Sequence, residues 1–338
     1  MSLFSFLQLP IIQAPMAGGI TTPEFVAAVC NAGALGSMGA GYMTPQQIKS
    51  DIQKIKALTS KPFQVNLFIP EITPADENIT LMKNRILPLW AQVSKDSWTE
   101  ESTPPPSFEE QAEALLEEKI PIFSFTFGCL SPHWVQRFQK QGCLVLGTAT
   151  TPEEAKQLEQ AGVDAIVCQG QEAGGHRGNF SPHDPLYSLM PLLLLTKQAV
   201  KTPLIAAGGI MNGHAVKAIL LLGAIAAQMG TAFLTTTESG ASSSYKEAIL
   251  KKPQVPTKLT KAFTGKVARA IPNLLMHTLE EVPIPSYPTS HFLTSNLRQL
   301  ASKKNRPDLL SLWAGQGYPL CQEISVRDLI HRISQELI

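Results

Sequence analysis

The chain has 338 residues, 44% of them apolar, with 28 Lys and Arg against 27 Asp and Glu. That is the profile of a globular protein with room for two average domains or one large α/β barrel with additions. A net charge of +1 without blocks of like charge gives no broad pull toward nucleic acid or anionic lipid, so neither is expected as a partner.

Short apolar runs recur along the first two thirds of the chain, each followed by Gly, Pro, Ser or Thr and then by a helical pattern. Eight are candidate strands: Ile11–Met16, Ala34–Ala40, Phe63–Phe68, Pro121–Phe127, Leu144–Thr150, Ala165–Gln169, Pro203–Ala207 and Ala224–Phe233. Runs this short and this apolar suit strands buried on both faces of a parallel sheet. Between them stand helix starts: Thr22-Pro23-Glu24 before Phe25–Ala32, Thr44-Pro45 before Gln46–Leu58, and Thr151-Pro152-Glu153-Glu154 before Ala155–Ala161. Each offers Thr as N-cap and Pro at the first helical position.

Eight alternations predict a TIM (β/α)8 barrel, with an open doubly wound sheet as the alternative pattern. The stretch Pro70–Glu118 is too long for an ordinary connection and reads as an insertion after strand three, with Glu100–Ser107 as its Pro-rich surface excursion. After Leu234 the composition changes. Thr235–Ser244 is small and polar, Pro253–Lys261 reads as a mixed loop, and the rest is mostly helical with Pro breaks at Pro283–Pro288. The expected division is a barrel over 1–234, containing the 70–118 insertion, and a helical cap over 235–338. The most membrane-like stretch, Ala218–Leu234, is interrupted by Gly223, Gln228 and Gly230 and is better divided into helix end, turn and strand. Cys30, Cys129, Cys143, Cys168 and Cys321 form no C-x-x-C pair and read as reduced thiols. The first Lys or Arg is Lys49, so no basic leader region is visible, and a cytoplasmic protein is expected.

In such a barrel the working residues cluster after the C-terminal ends of the strands. Those ends are rich in glycine and amides: Gln13-Ala14-Pro15-Met16-Ala17-Gly18-Gly19, Asn66, Gln169-Gly170-Gln171-Glu172-Ala173-Gly174-Gly175-His176-Arg177-Gly178, Ala206-Ala207-Gly208-Gly209 and Gln228-Met229-Gly230-Thr231. The glycine turns after strands seven and eight stand where barrels hold a phosphate on backbone N–H groups. A P-loop and a Rossmann fingerprint are both absent from the sequence. The amides of Asn66 and Gln169 suit the edge of a heteroaromatic ring, or alternatively tie loops together. Gln13 and Met16 are placed to lie under a flat ligand.

His176, in a glycine-rich loop opposite the phosphate site, is the candidate to accept a proton or polarise developing negative charge, with Arg177 adding positive charge. The other histidines, His291 among them, read as structural or exposed. Glu172 has no partner carboxylate for glycosidase chemistry. No cluster has metal-ligand spacing, so no metal is expected.

Taken together, these loops and Trp313-Ala314-Gly315-Gln316-Gly317 resemble those of the class I nitronate monooxygenases, formerly called 2-nitropropane dioxygenases. The resemblance runs from Pro10 to the C-terminus. It implies a TIM barrel with FMN at its mouth and the phosphate on the Gly208-Gly209 and Gly230-Thr231 backbones. It further implies FMN contacts from Asn66, Gln169 and Gly174, within a cofactor-binding set that takes in Gln13, Ala14, Pro15, Met16, Gly175, Gln228 and Met229, and an active-site role for His176. The implied reaction oxidises alkyl nitronates, propionate 3-nitronate the type substrate, with O2. It passes through a flavosemiquinone and yields a carbonyl product with nitrite or nitrate. Tyr287 is a substrate-pocket candidate, and Lys303, Lys304 and Arg306 are weighed as contacts to a substrate carboxylate against a reading as solvated surface. The Glu-Ala-Gly-Gly-His stretch also resembles FMN-dependent NAD(P)H reductases of the enoyl-ACP or quinone type, the competing enzyme reading. A non-catalytic flavin-binding barrel is the third. The sequence does not set the oligomeric state.

Overall fold

A computed structural model of the chain describes residues 7–71, 78–99, 107–181, 183–251 and 255–337. The strands are β1 (Ile11–Gln13), β2 (Ser37–Gly39), β3 (Gln64–Phe68), β4 (Ile122–Thr126), β5 (Leu144–Ala149), β6 (Ala165–Gln169), the two-residue β7 (Gly175–His176), β8 (Leu204–Ala207), β9 (Ala226–Met229), β10 (Lys258–Thr260) and β11 (Ala268–Ala270). Eight of them form one parallel sheet in the order β1-β9-β8-β6-β5-β4-β3-β2. The two edges meet where the Gln13 N–H donates to the Leu35 carbonyl and the Leu35 N–H to Ile11, both at 2.9 Å. The expected TIM barrel is therefore what forms.

Alternation decides what faces where. Ile12, Leu35, Ile122, Leu144, Leu146, Val167 and Ile205 fill the barrel interior as one apolar cluster. Their neighbours Ile11, Val65, Leu67, Phe123, Phe125, Val145 and Ile166 pack outward under the helices. Burial on both faces explains why the strands read as unbroken apolar runs. Toward the C-terminal ends the lining turns polar, with Asn66, Thr126, Thr148, Gln169 and Gln228 around a cavity.

The helices are α1 (Pro23–Asn31), α2 (Pro45–Leu58), α3 (Ile79–Trp90), α4 (Phe108–Glu117), α5 (Pro132–Lys140), α6 (Pro152–Ala161), α7 (Leu189–Ala199), α8 (Gly213–Leu221), α9 (Ser243–Leu250), α10 (Leu274–Leu279), α11 (Thr289–Lys303) and α12 (Val326–Leu337). The three N-caps expected from sequence form. Thr22 accepts from the Phe25 N–H, Thr44 from Gln47 in a reciprocal capping box, and Thr151 from Glu154.

Three boundaries differ from expectation. Helix α4 packs on α2 and β3 and is the barrel's own third outer helix, so the excursion after β3 ends before it. Helix α3, within that excursion, packs instead on α10 and α11. Of the expected surface excursion Glu100–Ser107, residues 100–106 lie outside the described residues. At the other end α12 packs between α8 and α1, where the eighth outer helix of a barrel belongs. Residues 235–325 thus form an insertion between the eighth strand and its helix, and the division at 234 does not hold for α12. Nor is 253–261 all loop. Lys258–Thr260 forms β10, which pairs antiparallel with β11, and β11 pairs with β7 of the barrel loop.

Candidate active site

The cavity at the barrel mouth measures 660 Å³, within the range of about 300–1,000 Å³ usual for small-molecule sites. One wall comes from the barrel. The β6 loop is folded back by Gln169, whose amide donates to the His176 carbonyl at 3.0 Å and accepts from the Gly178 N–H at 2.8 Å. Gln169 thus lines the cavity but spends its amide on positioning the loop. Gly175 sits at φ +75° with open space where a Cβ would stand, and Gly209 at φ +70°, backbone conformations that glycine adopts without strain. Among the described residues, no protein acceptor takes the N–H groups of Gly209 or Gly230. The Gln228 side-chain oxygen, also on the cavity, is buried without a hydrogen-bond partner.

The other wall comes from the C-terminal insertion. Trp313–Gly317 crosses the mouth, held by the Gly315 N–H on Thr231 Oγ1 at 3.0 Å and the Gln316 N–H on the Glu172 carbonyl at 3.0 Å. A Cβ on Gly174 would stand 2.4 Å from the Gly315 nitrogen, so the residue is glycine because another backbone passes there. Thr264 anchors His176, its hydroxyl 2.8 Å from Nε2. Phe127, Tyr287 and Trp313 surround that imidazole at ring distances of 5.6, 6.3 and 5.2 Å. Phe127, directly after β4, sits at φ +75°, a strained conformation for a bulky residue and one that such sites favour.

Burial is the largest cause that lowers the His176 pKa to about 3, and the Lys266 and Arg298 charges lower it further. The imidazole is therefore neutral at physiological pH, not poised near it as the sequence implied. Lys266 pairs with Glu71 and lies 4.6 Å from the Phe127 ring centre. Arg298, Gln299, Ser302 and Lys303 of α11 continue the wall outward. No carboxylate side chain is among the described residues that line the cavity. Nor do the described residues hold a His/Cys/Asp/Glu group fit for a metal. The cysteines are free, and burial pushes the thiols of Cys30, Cys143 and Cys168 up to about 11, 12 and 12. They are protonated packing groups, not nucleophiles.

A model of the family described as nitronate monooxygenase matches residues 2–336. A probable nitronate monooxygenase of Bacillus subtilis is 42% identical over 98% of this chain and 96% of its own. Another, from Staphylococcus haemolyticus, is 37% identical over 98% and 94%. The chain belongs to the nitronate monooxygenase family. Among solved structures, nitroalkane oxidase from Streptomyces ansochromogenes superposes with a TM-score of 0.94 at 38% identity, covering 100% of this chain and 98% of that one. FabK from Thermotoga maritima follows at 0.78 and 28%, covering 98% and 93%. The protein is thus an oxidoreductase of a flavin-dependent family. No helix among the described residues is long and apolar enough to cross a membrane.

For this family member the sequence located most of the barrel wall. Ala14, Pro15, Met16, Asn66, Gln169, Gly174, Gly175, His176, Gly208, Gly209, Gln228, Met229, Gly230 and Thr231 all border one cavity. Gln13 does not. It is fully buried, with its side-chain oxygen on the Ser37 N–H at 2.9 Å, and it holds the barrel seam. Arg177 is buried behind the strand in a two-point pair with Asp184 at 2.9 and 3.1 Å, so it is not the cationic group at the mouth. Glu172 accepts from the Leu189 N–H, at the start of α7, with both carboxylate oxygens at 3.1 Å. Tyr287 packs edge-on to the His176 ring at 6.3 Å but does not border the cavity, Lys303 does, and Arg306 is paired with Asp308. Thr264, His291 and Arg298 were missed. The polar positions 291, 295, 298, 299 and 302 share one face of α11, a periodicity readable in the sequence.

Proposed function

We propose that this chain binds FMN at the barrel mouth and oxidises alkyl nitronates with O2, propionate 3-nitronate being the type substrate. The unpaired Gln228 oxygen, the free N–H groups of Gly209 and Gly230 and a 660 Å³ cavity that Met16 helps to line fit a phosphorylated ring system. In this reading Gly208, Gly209, Gly230 and Thr231 hold the phosphate, and Asn66, Ala14, Pro15, Gly174, Gly175 and Met229 border the ring and its chain. When bound, the flavin supplies an electron acceptor beside the substrate.

The observation that carries the reading is the character of the wall: neutral His176, cationic Arg298 and Lys303, and no lining carboxylate among the described residues. Such a wall holds an anion. It also separates nitronates from neutral nitroalkanes. A nitroalkane must first lose a carbon-bound proton, and an imidazole with a pKa of about 3 is mismatched to that task. A nitronate arrives already deprotonated, so His176 has only to orient it, with its ring fixed by Thr264. Products are a carbonyl compound with nitrite or nitrate. Lys303, at the outer end of the wall, is placed for a substrate carboxylate.

The test is oxygen uptake by purified, flavin-loaded protein. Rapid uptake with propionate 3-nitronate, much slower uptake with the parent nitro acid, release of FMN on denaturation and no anaerobic bleaching by NADH or NADPH are expected. Bleaching by a pyridine nucleotide with no nitronate turnover overturns the reading in favour of a reductase.

A further inference from the structure

A second imidazole borders the cavity. His291, near the start of α11, stacks on the Tyr42 ring with centres 4.2 Å apart and planes within 13°. The Arg298 guanidinium, two turns along the helix, reaches back so that one nitrogen lies 3.3 Å from His291 Nδ1 and 3.2 Å from the His291 carbonyl. That guanidinium is itself seated, its Nε on Thr294 Oγ1 at 3.1 Å and its other terminal nitrogen 3.4 Å from Ser311 Oγ. An arginine only donates, so Nδ1 must accept, and the one proton of the ring stands on Nε2. No hydrogen bond of the described residues uses Nε2. His291, Arg298 and His176 all line the same cavity.

We propose that His291 is an N–H donor to an oxygen of the anionic substrate, locked in the Nε2–H form by Arg298 as its positioning residue. This rests on the reading of the cavity as a nitronate site. The groups facing His291 are Arg298 on its own helix, Tyr42 on its ring face, and His176 across the cavity. Burial, then Arg298, then His176 hold it far below the usual imidazole range, so the donor stays neutral and its hydrogen bond does not depend on pH. Two imidazoles divide the work. His176 is fixed through Nε2 by a hydroxyl that both donates and accepts, whereas His291 is fixed through Nδ1 by a group that only donates.

The experiment uses the holoenzyme, with nitrite as the probe and the flavin absorbance as its signal, together with KM and kcat for propionate 3-nitronate. His291→Phe keeps the stacked ring and removes the donor. Nitrite binding and KM are expected to weaken by about ten-fold or more, with kcat little changed, and His291→Gln is expected to recover part of the loss. Wild-type nitrite affinity is expected to stay flat from about pH 8 to about pH 5. In Arg298→Met the burial that chiefly keeps the imidazole neutral remains, but nothing fixes its proton on Nε2, so adding His291→Phe to Arg298→Met is expected to cost much less nitrite affinity than His291→Phe costs in the wild type. Nitrite affinity and KM unchanged in His291→Phe overturn the assignment, as does a His291→Phe loss in the Arg298→Met background as large as that in the wild type. Absence of nitronate turnover in the wild type overturns the proposed function instead, and the nitrite titrations then decide the His291 assignment alone.

Discussion

The two walls of the cavity are made of different material. The barrel wall is largely backbone: glycine turns after β6, β8 and β9, with side chains such as Gln169 spent on holding loops in place. The C-terminal wall is largely side chain, with Thr264, His291, Arg298 and Trp313 brought in from strand ends and helices far along the chain. A wall of N–H groups suits the constant part of a ligand, a phosphate or a ring edge. A wall of side chains can be changed one residue at a time and suits the part that varies, the substrate. The contrast predicts that barrel-wall changes act on cofactor retention and that C-terminal changes act on substrate binding. His176 bridges the two, rooted in the barrel loop and anchored by Thr264.

The largest expected effect falls on that bridge. His176→Asn is expected to lower turnover of nitronate by about 10²–10³, the usual cost of losing one preorganised hydrogen-bonding group at a reacting centre, with flavin content unchanged. Thr264→Val, which leaves the imidazole in place but frees it, is expected to fall between this variant and the wild type. Stopped-flow reduction by nitronate measures both. Equal effects on flavin retention and turnover would erase the distinction between the walls.

Next in size is the seam where the walls touch. In Gly174→Ala the added carbon meets the backbone of Ala314 and Gly315 within 2.5 Å, and neither segment can yield without releasing the strap over the mouth. A loss of about 3 kcal/mol is expected, read as a lower Tm together with loss of flavin. Gly175→Ala is the control. Its added carbon meets nothing within 4 Å but is held at φ +75°, so it carries only the backbone cost of about 1–2 kcal/mol. If the two variants melt together, close approach is not what Gly174 provides.

The difference in material also explains what could be read in the sequence. Strands buried on both faces announce themselves as apolar runs, and Thr22, Thr44 and Thr151 announce helix starts, because these signals are local. The glycine loops were legible for the same reason: their backbone makes the site, and backbone function leaves glycine in the sequence. Gln13 and Arg177 were misplaced because a polar side chain at a strand end can face the cavity, the seam or the outer layer, and only the register decides. His291 was passed over because a lone histidine on a helix has no local sign of function. Its meaning depends on Arg298 behind it, Tyr42 beneath it and His176 opposite. Helix α12 was assigned to the cap because it follows the cap in sequence, although its apolar face, Val326, Leu329, Ile330 and Ile333, completes the barrel.

The smallest effect concerns the two imidazoles together. Burial, with Arg298 adding to it for both and Lys266 for His176, places the pKa of His176 at about 3 and that of His291 at about 2, against 6.5 for an ordinary imidazole. Between those values the unfolded chain binds protons that the folded chain refuses. Stability from these groups is therefore complete above about pH 6.5 and is lost as pH falls, by at most about 1.4 kcal/mol per imidazole per pH unit. Both rings line the cavity and are not fully enclosed, which brings the slope below that ceiling. Carboxylates held below their usual range, such as Glu159 on Thr202 and Lys201 and Asp308 on Arg306, start to lose their contribution only near pH 4.5 and below, so the windows separate. Thermal melts between about pH 7 and about pH 5 are expected to show the wild type falling and a His176→Asn/His291→Gln double variant nearly level. Parallel curves would mean that neither imidazole is held neutral by its wall, and the division of labour between a backbone wall and a side-chain wall would lose its electrostatic basis.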